Sequence, residues 1–170
     1  MKMVIRRNVF ETNSSSMHSV TIAQGNRTDS LPVEDGKIVV TGNKFGWELE
    51  TYNNAYIKLS YLITLLFGNI WDNSEEYKEK KDMIDEETGH VNPDYLSGDR
   101  RIKFEKLKNV VKNITGCELI VKVSDDYYPF GYIDHQSWGV ANDIIEDDEE
   151  VITNFIFNPK SVLITDNDNH

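Results

Sequence analysis

Apolar and polar positions divide the chain into short β-type runs at its two ends and longer helical runs between them. Residues 3–10 are β-branched and apolar enough for a strand, and Ser19–Ala23 reads as a second. Residues 24–36 hold Gly, Asn, Asp, Ser and Pro and read as a loop. Lys37–Thr41 ("KIVVT") is a further short strand. Residues 54–67 ("NAYIKLSYLITLLF") are apolar on most faces, and their length predicts a buried helix stopped by Gly68. Asp72 or Ser74 can cap a mostly solvated helix after it, with acids in the first turn. Residues 92–98 form a loop. Asp99 can cap another helix through Ile114, with Phe104, Leu107, Val111 and Ile114 on one stripe and Gly116 at its end. Residues 118–124 ("ELIVKVS") and 161–165 ("SVLIT") read as strands, and residues 146–154 as a short acidic helix. The expected architecture is α+β: one domain with a mixed sheet, its N- and C-terminal strands packed against two to three helices.

Composition narrows the function classes. A chain of 170 residues, 39% apolar and 11% aromatic, supplies one substantial core. It contains no apolar run of about 18 residues, the length that spans a bilayer, so no membrane association is expected. The first residues lack the apolar core of a signal peptide, which predicts a cytoplasmic protein. Cys117 is the single cysteine, which excludes an internal disulfide or a cysteine-based zinc site. Its neighbours Ile114 and Leu119 favour a small core residue over a reactive thiol. The net charge is −11 and uneven: residues 125–170 hold eleven acids against one base, Lys160. Direct binding to a nucleic-acid backbone, which needs a basic patch, is not expected. The acidic surface suits solubility or a basic partner protein.

Three polar clusters carry the candidate chemistry. The first is "ETNSSSMHS", where Glu11, Asn13, Ser14, Ser15, Ser16 and His18 lie between two predicted strands. Such side chains bond readily to nearby backbone, so a tight turn explains them without a ligand. An extended chain puts His18 on one face with Val20 and Ile22, where a histidine is more often a satisfied core residue than a ligand. A buried Glu11 needs a partner or a metal. The second is "YYPFGYIDHQSWG", in which aromatics surround Asp134, His135, Gln136 and Ser137. It reads most simply as an aromatic-rich strand pair with a polar turn. On a bulge or turn, permitted by Gly131 and Gly139, Asp134 and His135 can act together. The third is Asp166 and Asp168 after the last strand, either a site or a frayed tail.

Were the clusters to meet, Glu11, His18, Asp134 and His135 would supply two imidazoles and two carboxylates. That set suits a first-row divalent metal. It also suits general acid–base catalysis, with Ser14, Ser15 or Ser16 as a nucleophile or as a hydrogen-bond donor to a phosphate. Asn13, Ser15, Ser16, Gln136, Ser137, Asp166 and Asp168 would complete a ligand shell. No His-x-x-x-His or His-Glu-x-x-His spacing, glycine-rich phosphate loop or nucleophile elbow accompanies them. The residues leave open whether the protein catalyses anything, and its oligomeric state.

The stretch "RRNVFETNSSSMHS" resembles the N-terminal signature of a functionally unassigned family of small phage and prophage proteins. There a basic strand leads into Glu-Thr-Asn-Ser-Ser-Ser, a variable residue and His-Ser. "GYIDHQS" and "ITDND" are similar to downstream segments of that family. The signature covers roughly a tenth of the chain. On residue matching, Glu11, Asn13, Ser14, Ser15, Ser16 and His18 carry over, and Met17 stands at the variable place. The resemblance implies a setting, a phage accessory protein acting in the host cytoplasm in host takeover or anti-defence, and no particular reaction. Three readings follow. The first is a pocket for a nucleotide, a phosphate or a metal. The second is an acidic inhibitor laid on a basic host protein through residues 143–150. The third is a structural module without a ligand.

Overall fold

The computed structural model describes residues 2–5 by backbone alone and residues 18–46, 48–68, 83–96, 98–125, 128–134 and 137–166 with their side chains. The solvated helix expected from Asp72 or Ser74, and the N-terminal strand beyond Ile5, lie outside the described residues.

A four-stranded antiparallel sheet in the order β1-β2-β8-β5 joins the two ends of the chain: β1 Lys2–Ile5, β2 Ser19–Ala23, β5 Glu50–Tyr52 and β8 Val162–Thr165. Its register pairs Ile5 with Val20 and Ser19 with Ile164. In β2 the alternation seen in the sequence is real, with Val20 and Ile22 buried. Both strand orientations occur, as a mixed α+β fold requires, but in separate sheets. Two parallel pairs stand apart from the antiparallel sheet: β3 Lys37–Thr41 with β6 Glu118–Lys122, and β4 Lys44–Phe45 with β7 Tyr132–Ile133.

Helix α1, Ala55–Phe67, is buried along almost its whole length, as an all-round apolar helix must be. Asn54 caps it by accepting from the Tyr56 and Ile57 amides, and the Asp29 carboxylate accepts from the Ala55 amide at 2.7 Å. Helix α2, Gly98–Thr115, buries Phe104, Leu107, Val110 and Val111. Ile114, expected on that stripe, is exposed: Val110 fills the face instead, and the last turn projects beyond the core. Cys117 packs against the edge of the core.

Two expectations need correction. The acidic helix of residues 146–154 is the junction of two helices, α3 Trp138–Glu146 and α4 Glu149–Phe157. Asp147 is extended and breaks the run. Asp148 caps α4 through the Val151 amide at 2.9 Å, and α4 continues as a buried apolar segment to Phe157. Among the described residues of 127–139 there is no aromatic strand pair either. Their only strand among the described residues is the two-residue β7, and Gly139 lies inside α3.

Gly131 explains how β7 reaches its partner. Its φ is +77°, and an added Cβ would stand 2.3 Å from the Asn43 carbonyl oxygen. Gly42 is as constrained on the facing segment, where a Cβ would meet the Phe130 carbonyl. The two backbones cross where no side chain fits. Gly68, at the end of α1, keeps helical dihedrals, and its value lies in proximity, since a Cβ there would sit 3.3 Å from the Gly131 oxygen. The buried apolar residues of all these elements form one cluster.

Candidate functional site

β1 ends, β2 begins and β8 ends at the same edge of the antiparallel sheet, because neighbouring strands run in opposite directions. His18 stands just before β2 at this edge and is 2% exposed. Continuing the register sets it beside Thr165, whose hydroxyl donates to the Glu48 carbonyl at 2.7 Å. Asp166 follows at once.

The His18 ring has a definite proton arrangement. Nε2 lies 3.1 Å from the Gly46 carbonyl, which only accepts, so Nε2 carries the hydrogen. Nδ1 lies 3.1 Å from the Tyr61 hydroxyl, which then donates to it. Burial lowers the His18 pKa, while the Gly46 hydrogen bond and the charge of Asp134 act in the opposite direction. The imidazole is neutral and satisfied at both nitrogens. Burial also raises the Tyr61 hydroxyl well above its ordinary value, so it stays protonated. Phe45 packs edge-on against Tyr61 with ring centres 4.9 Å apart.

Asp134 reaches the same place from the end of β7. Its amide donates to the Phe45 carbonyl at 3.3 Å, its carbonyl accepts from the Ser137 amide at 2.9 Å, and its Oδ1 lies 3.4 Å from the Tyr132 hydroxyl. The Trp138 indole donates to the Ile133 carbonyl at 2.9 Å and fixes the start of α3. The Phe45, Gly46 and Glu48 carbonyls therefore accept from Asp134, His18 and Thr165 respectively, and tie these residues to one stretch of chain. His18 of the first cluster and Asp134 and Ser137 of the second come together here, and β8 delivers Asp166 of the third to the same edge. Glu11, Asn13, Ser14, Ser15, Ser16, His135, Gln136 and Asp168 lie outside the described residues.

This arrangement offers a carboxylate, buried hydroxyl groups and a neutral imidazole. His18 meets Asp134 through its charge, while its two nitrogens are engaged by Gly46 and Tyr61. Among the described residues, no three His, Cys, Asp or Glu side chains converge as metal ligands.

A second buried polar centre was not anticipated from sequence. Lys58 is fully buried in α1, and its ammonium donates to the Asn158 carbonyl at 2.8 Å and the Ser161 carbonyl at 3.1 Å. Desolvation pushes its pKa down to about 8, against the opposing charge of Asp29. The Asn158 amide donates to the Ala23 and Gly25 carbonyls, and the Ser161 hydroxyl donates to the Asn154 carbonyl at 2.7 Å. Its signal was present: Lys58 is the one charged residue in the run of α1.

The acidic tract has structural duties. Glu146 accepts from Lys103 at 2.9 Å and from Asn142 at 2.7 Å, which holds its pKa below the ordinary carboxylate value. Lys106 donates to the Ile145 and Asp147 carbonyls at the end of α3. Glu150 lies 3.6 Å from Arg27.

No helix among the described residues is long and apolar enough to cross a membrane. Compared with protein-family models, curated proteins and solved structures, the chain finds no match.

Proposed function

We propose that the chain is a phage-type accessory protein, serving host takeover or anti-defence, and that it binds a small polar ligand at the sheet edge around His18 and Asp134. The observation that carries this reading is the meeting of polar residues distant in sequence at one edge. A turn needs only local partners, yet Asp134, Ser137, Thr165 and His18 come from three separate parts of the chain. The Glu11–Ser16 run, on which the phage resemblance rests, leads directly into His18. His18 serves as a positioning group rather than a base, because both ring nitrogens are engaged. Asp134 gives the site its charge and favours hydrogen-bond donors or cations over a bare phosphate.

The acidic-inhibitor reading is weaker on physical grounds. Asp148 is a helix cap, Glu146 is paired with Lys103, and Glu150 lies near Arg27, so part of the charge is spent within the fold. Acids employed in this way leave less field for a basic partner.

A melting-temperature screen against divalent metals, nucleosides, nucleotides and phosphate tests the proposal. A ligand at ~100 times its dissociation constant adds about 2.7 kcal/mol and raises the melting temperature by several degrees. The rise should disappear in Asp134→Asn and in Glu11→Gln. A screen with no shift in the wild type would defeat the proposal.

A further inference from the structure

The antiparallel sheet has two outer strands, and the segments that carry them differ in charge. Among the described residues β1 pairs with β2 alone, and β5 pairs with β8 alone. Alternate residues of an outer strand turn their amide and carbonyl away from the sheet, where a further strand can take them up. Charges usually protect such strands by repelling a second copy. Here the signs are opposite. Residues 2–7 ("KMVIRR") hold Lys2, Arg6 and Arg7 and no acid, whereas residues 48–52 ("ELETY") hold Glu48 and Glu50 and no base. Glu48, Glu50 and Thr51 are exposed, and the apolar Leu49 among them is 64% exposed. Two acidic strands repel each other, as do two basic ones, while an acidic and a basic strand attract.

Strand direction and register permit the unlike pairing. Each contact in the order β1-β2-β8-β5 is antiparallel, so β1 and β5 run in opposite directions. Ile5, Val20, Leu163 and Tyr52 form one row across the sheet. A second copy set flush beside the first, in the same orientation, brings its Ile5 opposite Tyr52. Counted two residues further in each direction, Arg7 falls opposite Glu50. A β-branched residue facing an aromatic one, and a base facing an acid, are both favourable cross-strand pairs.

We propose that copies of this chain associate side by side, with β1 of one copy pairing antiparallel to β5 of the next. The contact joins two different patches, so it builds chains or rings of copies and not a two-fold dimer. It is short, and its affinity is that of a weak, transient interface. It does not depend on a ligand at the His18 edge.

Sedimentation velocity over a wide range of protein concentration tests the proposal. It is run at ~0.15 M salt, where the repulsion from the net charge of −11 is screened beyond about 8 Å. The wild type should form dimers and then larger species as concentration rises. Glu50→Arg and Arg7→Glu should each weaken association about tenfold, since each turns an attractive pair into a repulsive one. An equimolar mixture of the two variants should recover association, because every contact between the two kinds of copy then pairs opposite charges. Circular dichroism melting establishes that each variant is folded. A wild type that stays monomeric at every concentration overturns the proposal. Association that neither substitution changes, or that the mixture fails to recover, assigns the contact to another surface and overturns it as well.

Discussion

The two buried polar centres differ in how they are closed. The Lys58 ammonium sits at 0% exposure and donates to backbone carbonyls that belong to the turn between α4 and β8. Asn158 and Ser161 bind further backbone, so donors and acceptors are consumed within the fold. The His18–Asp134 edge is closed on its inner side, where Tyr61 and Gly46 hold the imidazole. On its outer side it passes through Asp134 to the exposed Tyr132 and Tyr128 rings. Burial of polar groups alone therefore does not mark a site. A buried polar network bounded by backbone is scaffold, while one that joins side chains from separate parts of the chain and borders exposed aromatic rings is able to meet a ligand.

The comparison breaks most severely if the crossing that brings β7 to the edge is blocked. Gly131→Ala puts a Cβ against the Asn43 backbone at a positive φ, and should cost at least about 3 kcal/mol. Chemical denaturation would measure the loss, and a value within experimental error of zero would refute the packing described.

Lys58→Met comes next. It retains much of the volume but leaves the Asn158 and Ser161 carbonyls without their donor, at a cost of about 2–3 kcal/mol. It also isolates a pH signature. The Lys58 pKa in the fold, about 8, lies below its value of about 10.4 in the unfolded chain. Between those values the unfolded state binds more protons, so this residue makes stability rise with pH, by up to ~3 kcal/mol. Urea midpoints at pH 8 and pH 10 should show that rise in the wild type relative to Lys58→Met. Parallel curves would show that burial of Lys58 does not perturb its proton affinity.

His18→Gln should cost about 1–2 kcal/mol, since an amide replaces part of the hydrogen bonding but not the ring packing. The His18 pKa is lowered in the fold. As pH falls below about 6.5, the unfolded chain takes up a proton that folded His18 resists, and stability declines. The variant should show a shallower acid limb. The smallest effect belongs to the acidic tract. Glu149→Gln with Glu150→Gln should change stability by less than about 0.5 kcal/mol, since exposed charges contribute little.

The elements with dense local signals were legible in the sequence. The length and all-round apolarity of residues 54–67 predicted α1, and alternation predicted β2 with His18, Val20 and Ile22 on one buried face. Helix α3 was not read, although Val140, Ala141, Ile144 and Ile145 have helical spacing. The neighbouring "YYPFGY" suggested strands and masked the period. The meeting of His18 with Asp134 depends on sheet order and on a backbone crossing at Gly42 and Gly131, which no local pattern encodes. Lys58 is a lone charge in the apolar run of α1 and went unread, since its partners are carbonyls and a backbone acceptor leaves no trace in residue type.

The most direct test follows the melting temperature of three proteins, wild type, Asp134→Asn and Lys58→Met, against a panel of divalent metals, nucleosides, nucleotides and phosphate. At ~100 times the dissociation constant, the ligand should raise the wild-type and Lys58→Met melting temperatures by several degrees and leave Asp134→Asn unmoved. A shift that survives in Asp134→Asn, or that disappears in Lys58→Met while the protein is still folded, would contradict the assignment of one centre as site and the other as scaffold.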